Sequence, residues 1–201
     1  MFCTVSDVQN LLQVEIPADK IGSCERAIEE ATSAIQNYTH QTISSVADDS
    51  LVIDGRGGTK LFLPELPVIS VTSVAEDDVE LTVSTQYKLG QYGVLHRIGN
   101  KWASGVQNIE IVYSHGYQTI PDDIVSVCTR ASARIYQAGL LASELGGNPA
   151  IEGESIGDYS VSYSGAYGNT SSDGLMGVSS PRMLLLSEKD VLNRYRVVNQ
   201  W

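Results

Sequence analysis

The sequence predicts an α+β fold: a small helical bundle with an inserted antiparallel β-unit, followed by a C-terminal extended arm plus a short helix. Three observations predict it. Apolar residues recur at helical spacing in two separate places, Ala27, Ile28, Ala31, Ala34, Ile35 and Tyr38, then Ile124, Cys128, Ala131 and Ile135. Between these stripes the chain breaks into short β-rich runs punctuated by Gly, Pro and acidic turns. Beyond residue 150 the stretch ESIGDYSVSYSGAYG alternates apolar and polar positions with period two. The expected organisation is a single domain. Its helical part covers about 4–47 and 120–145, the β-insertion about 50–118, and the arm and final helix about 150–201. No internal repeat divides it.

Each element has a local reason. Thr4, Ser6 and Asp7 supply capping chemistry before Val8, Leu11 and Leu12, and Pro17 closes that first helix. Ser23 is the expected N-cap of the second helix, whose apolar stripe must dock on another element. Leu51–Ile53 and Lys60–Leu63, joined by the glycine-rich Asp54–Gly58, read as a hairpin. Pro64 and Pro67 then set off a strand from Val68 to Val74, and Glu76-Asp77-Asp78 reads as a solvated acidic turn. Strands are expected at Val79–Val83, Tyr87–Leu89, Val94–Ile98 and Asn108–Tyr113, completing an antiparallel unit.

Helix returns at Ile120-Pro121-Asp122-Asp123-Ile124, where proline in the first turn and two acids at the positive end of the helix dipole make a start signal. Its stripe is expected to pack on the Ala27–Tyr38 stripe and form the core. Glu154–Tyr163 follows as one strand with Tyr159, Val161 and Tyr163 on its apolar face. The last helix starts at a capping-box pair, Ser187 and Asp190, ahead of Val191, Leu192 and Tyr195.

Composition narrows the function classes. At 201 residues, 42% hydrophobic and 18% charged, this is a globular chain and not a disordered one. Its formal net charge of -11 opposes tight gripping of nucleic acid, which needs clustered Lys and Arg. Cys3, Cys24 and Cys128 are too widely spaced for a metal motif and read as buried or free thiols of a reducing compartment. The N-terminal residues lack the pattern of a signal peptide, and no apolar run reaches the roughly 20 residues that span a bilayer.

No constellation for catalysis stands out, and the chain reads as a non-enzyme with no cofactor and no metal site. Gly55-Arg56-Gly57-Gly58-Thr59-Lys60 lacks the order of a phosphate loop and is followed by a strand where a helix is needed. The histidines His40, His96 and His115 are scattered. Ser114-His115-Gly116 reads as a turn because no G-x-S-x-G elbow accompanies it.

Three stretches together carry a family likeness: Leu61-Phe62-Leu63-Pro64-Glu65-Leu66-Pro67 running on to Val74, Trp102 through Asn108–Tyr117 into Ile124, and Glu154–Tyr163. In that order, and flanked by these helices, the chain resembles the head–tail connector proteins, or head-completion adaptors, of tailed double-stranded DNA bacteriophages. The likeness runs from about Thr4 to Arg196. It departs at Tyr38-Thr39-His40-Gln41, where the family pattern has an arginine soon after the tyrosine.

The resemblance implies a structural virion protein, made in the host bacterial cytoplasm and resident in the neck of the particle. It would form a homo-oligomeric ring, a dodecamer, beneath the portal protein, extend the DNA channel and offer a docking surface to the next neck or tail-completion protein. DNA would pass through the lumen without specific binding, as an acidic chain permits, and no membrane is involved. Tyr159, Val161 and Tyr163 are the expected inter-subunit residues, added as an arm strand to a neighbouring copy. The other reading of that strand makes it part of the chain's own β-unit. Arg182, Lys189, Arg194, Tyr195, Arg196 and Trp201 are the expected portal-binding residues, because basic and aromatic side chains gather there after a stretch free of Lys and Arg. The other reading of the segment is a capping helix with Leu184, Leu185, Leu186 and Leu192 buried. An alternative class is a β-sandwich-containing binding module for carbohydrate or protein on a virion or cell surface.

Overall fold

The computed structural model describes residues 1–144, 153–156, 159–162 and 183–197. In chain order the elements are α1 (Val5–Leu12), α2 (Ile21–Thr39), β1 (Val46–Arg56), β2 (Lys60–Phe62), β3 (Val68–Glu76), β4 (Val79–Glu80), β5 (Tyr87–Leu89), β6 (Val94–Arg97), β7 (Ser104–His115), α3 (Asp122–Glu144), β8 (Gly153–Ile156), β9 (Tyr159–Ser162) and α4 (Leu186–Leu192). This is the expected α+β order, with seven strands between α2 and α3. The chain divides into two compact units, Met1–Ile35 with Asp122–Val191, and Gln36–Pro121 with Leu192–Trp201.

In the first unit, α1 begins at a capping box. The Asp7 N–H donates to Thr4 Oγ1 at 3.2 Å, and the Thr4 N–H donates to Asp7 Oδ2 at 2.7 Å, so two exposed amides are satisfied reciprocally. A 3₁₀ turn at Ala18–Lys20, closed by Lys20 N–H donating to Pro17 O at 2.9 Å, runs straight into α2. Ser23 therefore lies inside the helix, and the expected N-cap is corrected: the chain is already helical three residues earlier. Ala27, Ile28, Ala31 and Ile35 are buried, as are Ile124, Cys128 and Ala131 of α3. Thr32 Oγ1 lies 3.7 Å from Cys128 Sγ, a buried approach of α2 to α3 through a residue beside the expected stripe. Pro121 precedes α3, and Asp122 and Asp123 fill its first turn.

The last helix starts at Leu186, one residue before the expected Ser187 cap. Glu188 takes the capping part instead, its Oε2 accepting the Leu185 N–H at 2.9 Å. The alternating stretch is also corrected. It forms two strands, β8 and β9, paired antiparallel with each other, Glu154 opposite Val161 and Ile156 opposite Tyr159. Among the described residues this hairpin joins neither sheet of the β-unit, so it is not one of that unit's strands. Positions 154, 156, 159 and 161 share one face by this register, and Tyr163 lies outside the described residues.

The second unit holds two antiparallel sheets, β1-β7-β3-β4 and β2-β6-β5. β7 is central to the larger one. Ile111 stands opposite both Leu51 of β1 and Val74 of β3. Along β7 the buried residues alternate, Ile109, Ile111, Tyr113 and His115. Strand parity thus carries His115 inside, which corrects its reading as a turn residue.

The expected β1–β2 hairpin does not form. β1 spends its 11 residues on the long ladder with β7, whereas the three-residue β2 pairs with β6. Gly57, at φ 69°, turns the chain between them, and the turn is fixed elsewhere: Trp102 N–H donates to Gly58 O at 2.8 Å, and Arg97 N–H to Thr59 O at 2.9 Å.

The Asp77-Asp78 turn does join β3 to β4, with both residues at positive φ, the I′ geometry whose twist suits a hairpin. Glu76 is not solvated as the acidic run suggested. Its Oε2 pairs with Arg97 Nη2 at 2.9 Å, and its Oε1 accepts the Ala103 N–H at 2.6 Å. Arg97 in turn lies over the Trp102 ring, 5.6 Å from its centroid. Trp102, Tyr113, Leu95 and Val74 are buried in the core beside this ion pair.

Candidate functional site

Two of the three stretches that carry the sequence likeness, Leu61–Val74 and Trp102–Tyr117, lie in the second unit, whereas Glu154–Tyr163 belongs to the first. His40, left-handed at φ 55°, ends α2, its N–H donating to Gln36 O at 2.9 Å. Gln41 follows and is buried. Its Nε2 donates to Pro64 O at 2.7 Å, and its Oε1 accepts the Leu66 N–H at 2.7 Å. One side chain therefore satisfies both backbone groups of a proline-bounded loop that has no strand partner there. Glu65 Oε2 accepts the Thr42 N–H at 2.8 Å, tightening the same junction. On the other side of this loop, Gly116 N–H donates to Pro67 O at 2.9 Å, and Tyr117 N–H to Ile43 O at 2.8 Å. Gly116 sits at φ 87°, and a Cβ there would stand 2.4 Å from Ser44 O, so only glycine fits.

Onto this junction the C-terminal residues settle. Tyr195 meets Tyr117 edge to face, with ring centroids 5.9 Å apart at 75°. The Arg196 guanidinium lies 5.6 Å from the Tyr38 ring centroid. Tyr38 Oη donates to Asn193 Oδ1 at 2.8 Å, and Val197 N–H donates to Thr39 O at 3.3 Å. A guanidinium thus does accompany Tyr38, supplied from position 196 and not from the residues just after the tyrosine.

Of the expected portal-binding residues, Arg194 and Arg196 are exposed, Lys189 and Tyr195 are half-buried, and Arg182 and Trp201 lie outside the described residues. The leucines divide. Leu184 and Leu192 are buried, whereas Leu185 is 41% and Leu186 72% exposed. The capping-helix reading therefore holds for two of its four leucines.

Sequence reading missed the ion pair that fixes the start of α4. Arg134 Nη1 donates to Glu188 Oε1 at 2.7 Å and Arg134 Nη2 to Glu188 Oε2 at 2.6 Å, with a further bond to Met183 O at 3.1 Å. Glu188 is only 3% exposed, so the bidentate partner is what makes its burial tolerable. Positions 134 and 188 are far apart in sequence and carry no local signal of this pairing.

His115 Nε2 stands 3.2 Å from Asp49 Oδ2, and its ring is 5.0 Å from that of Tyr113. His115 is 1% exposed whereas the Asp49 side chain is 46% exposed, so the contact ties the buried end of β7 to a carboxylate at the surface. Burial pushes the Tyr113 hydroxyl up to about 12 from its ordinary 10. Among the described residues no group of three His, Cys, Asp or Glu is placed to hold a metal ion, and no helix is long and apolar enough to cross a membrane. All three cysteines are free and buried, as expected, but Cys3 and Cys128 are not scattered: their sulfurs lie 3.4 Å apart.

The comparisons bear on this arrangement. A family model described as head completion protein matches residues 1–130. Among curated proteins no match was found. The chain is similar to one in the neck of an empty gene transfer agent particle computed with C6 symmetry. The identity is 16%, the coverage 98% of this chain and 89% of that one, and the TM-score 0.58. It is also similar to one in the native particle's neck computed with C12 symmetry, at 14% identity, covering 89% and 84%, with a TM-score of 0.52. A chain of the native gene transfer agent virion gives 16%, 98%, 89% and 0.54 in the same order. At such identities the likeness is one of fold.

Proposed function

We propose, because the chain belongs to the head completion protein family, that it is a structural virion protein of the head–tail connector and has no enzymatic role. The observation that carries this reading is the extent of the family match. Residues 1–130 include α1, α2, the whole β-unit and the first turns of α3. In this reading copies of the chain form a dodecameric ring beneath a portal protein. The ring continues the DNA channel and receives the next neck or tail-completion protein. The C12 symmetry used for the neck of a similar particle supports the ring, and a net charge of -11 suits a lumen through which DNA slides without adhering.

Two surfaces are assigned roles within it. The β8–β9 hairpin is the inter-subunit arm, with Tyr159 and Val161 at its centre and Tyr163 beyond. A two-stranded hairpin is marginal in water by itself and gains most by adding to a sheet edge of a neighbouring copy. The C-terminal segment faces the portal through Arg194 and Leu186, which are exposed, together with Lys189, Tyr195, Arg196, Arg182 and Trp201.

Electron microscopy of the protein alone and mixed with portal rings tests the reading. Coaxial rings on the portal are expected, with attachment that weakens at high salt. A monomer that leaves portal rings bare would overturn it. Deleting Glu154–Gly168 is expected to leave folded monomers, and truncation before Pro181 to abolish portal binding.

A further inference from the structure

We propose that Cys3 and Cys128 form a thiol–disulfide site, closed by a small hydroperoxide into an intrachain cross-link between the N-terminal segment and α3. The placement is specific. The two positions are 125 residues apart in sequence, yet Cys3 Sγ donates to Cys128 Sγ at 3.4 Å. Ser132 Oγ stands 3.8 Å from the first sulfur and 3.9 Å from the second, and Thr32 Oγ1 is 3.7 Å from Cys128 Sγ. The sulfurs are therefore ringed by hydroxyls within a helical core. Phe2 N–H donates to Thr32 Oγ1 at 3.3 Å and holds the N-terminal segment against α2. A disulfide needs sulfurs about 2.05 Å apart. Cys3 precedes α1 and is outside its hydrogen-bond ladder, so its backbone can supply the approach while Cys128 stays fixed in α3.

The hydrogen bond assigns the roles. The Cys3 S–H pointing at Cys128 lowers the Cys128 thiol and keeps the proton on Cys3, with Thr32 and Ser132 adding to the effect on Cys128 against its burial. Cys128 is thus the sulfur that attacks. The Cys128 thiol gives up its proton, and its thiolate takes one peroxide oxygen. The O–O bond breaks, and Cys128 becomes a sulfenic acid as the leaving hydroxide takes that proton to form the first water. Cys3 sulfur then attacks Cys128 sulfur, the S–O bond breaks, and hydroxide leaves with the Cys3 proton as the second water. In sum, two thiols and one hydrogen peroxide give one disulfide and two waters. Each sulfur loses one electron and the peroxide gains two.

Burial sets the oxidant class. Cys128 is fully enclosed and Cys3 is 6% exposed, so an oxidant must enter past the N-terminal segment, which favours a molecule as small as hydrogen peroxide over a bulky disulfide such as oxidised glutathione. Cys24, buried in the same unit, is an internal control.

The test uses the full wild-type chain, reduced, desalted and treated with hydrogen peroxide or with oxidised glutathione. Remaining thiols are then alkylated in denaturant and the peptides weighed. The expected result with peroxide is a peptide joining Cys3 to Cys128, lighter by two hydrogens and released by dithiothreitol, with Cys24 alkylated. Oxidised glutathione is expected to leave all three thiols free. In Cys3→Ser the same treatment should leave a sulfenic acid at Cys128 that dimedone traps. Three alkylated cysteines after peroxide, a bond through Cys24, a bond between chains, or sulfinic acid at Cys128 of the wild type would each overturn the site. None of these outcomes depends on ring formation or portal binding.

Discussion

The two units bury different kinds of side chain. The helical one buries aliphatic side chains such as Ile28, Ile35 and Ile124 together with small ones, Ala27, Ala31, Ala131, Cys3 and Cys128, and Thr32 and Ser132 lie among them. Where small residues face one another, a larger side chain or a charge has little room. The β-unit is filled by Trp102, Tyr113, Tyr87, Leu95 and Ile109, and accommodates the Arg97–Glu76 pair and His115 at its margins. The small positions of the helical core are endangered by additions, whereas the β-unit's large rings are endangered by losses.

The sharpest way to break that contrast is a charge at the tightest point. Ala31→Asp places a carboxylate without a partner at a fully buried position of α2, at a cost of several kcal/mol. The expected outcome is loss of the helical far-ultraviolet signal, and a soluble variant with a cooperative melt would refute the α2–α3 core. Trp102→Ala is the converse for the β-unit, where a truncated buried ring costs about 3–5 kcal/mol. Chemical denaturation followed by circular dichroism measures it, and a loss below 1 kcal/mol would show that the ring is not what fills this core.

A third prediction uses pH. The folded-state value of the Tyr113 hydroxyl is raised by burial from 10 to about 12. Its contribution is therefore fully present below pH 10 and is lost as pH rises toward 12, amounting to about 2–3 kcal/mol. Tyr113→Phe should flatten that alkaline fall in denaturant titrations, and an unchanged slope would count against it. The smallest effect concerns neither core. Thr4→Ala removes one half of the α1 capping box at an exposed site and should cost about 1 kcal/mol in the same titration.

What the sequence made legible followed from period and from local chemistry. The stripes of α2 and α3 are buried because a 3.6-residue period leaves one face to bury, and the Asp77-Asp78 turn is where its residue types demand it. What it hid was of longer range or of parity. Asp54–Gly58 signals a turn but not a partner, and nothing local to β1 marks its pairing with β7. Glu76 looks like the start of a solvated acidic run, yet Arg97 and the Ala103 amide draw it inward. In ESIGDYSVSY the alternation Tyr159, Val161, Tyr163 reads as one strand, and the three-residue step from Ile156 to Tyr159 is the one local sign of the two strands that form. Of the expected site residues, Tyr195 and Arg196 turn out to have ring partners in Tyr117 and Tyr38, contacts between positions roughly 80 and 160 apart that no window of sequence contains.

The position of β7 has a mechanical consequence. It is hydrogen-bonded along both edges, to β1 over Val46–Arg56 and to β3 over Val68–Glu76, and both ladders are antiparallel with bonds perpendicular to the strands. A pull along the axis of β7 must shear every rung of both ladders at once. A pull that peels β5 from β6 meets only three residue pairs, one after another. The molecule is therefore stiff in one direction and soft in another. In single-molecule stretching, tethers at Ser104 and His115 should need a markedly higher rupture force than tethers that lift Tyr87–Leu89 away.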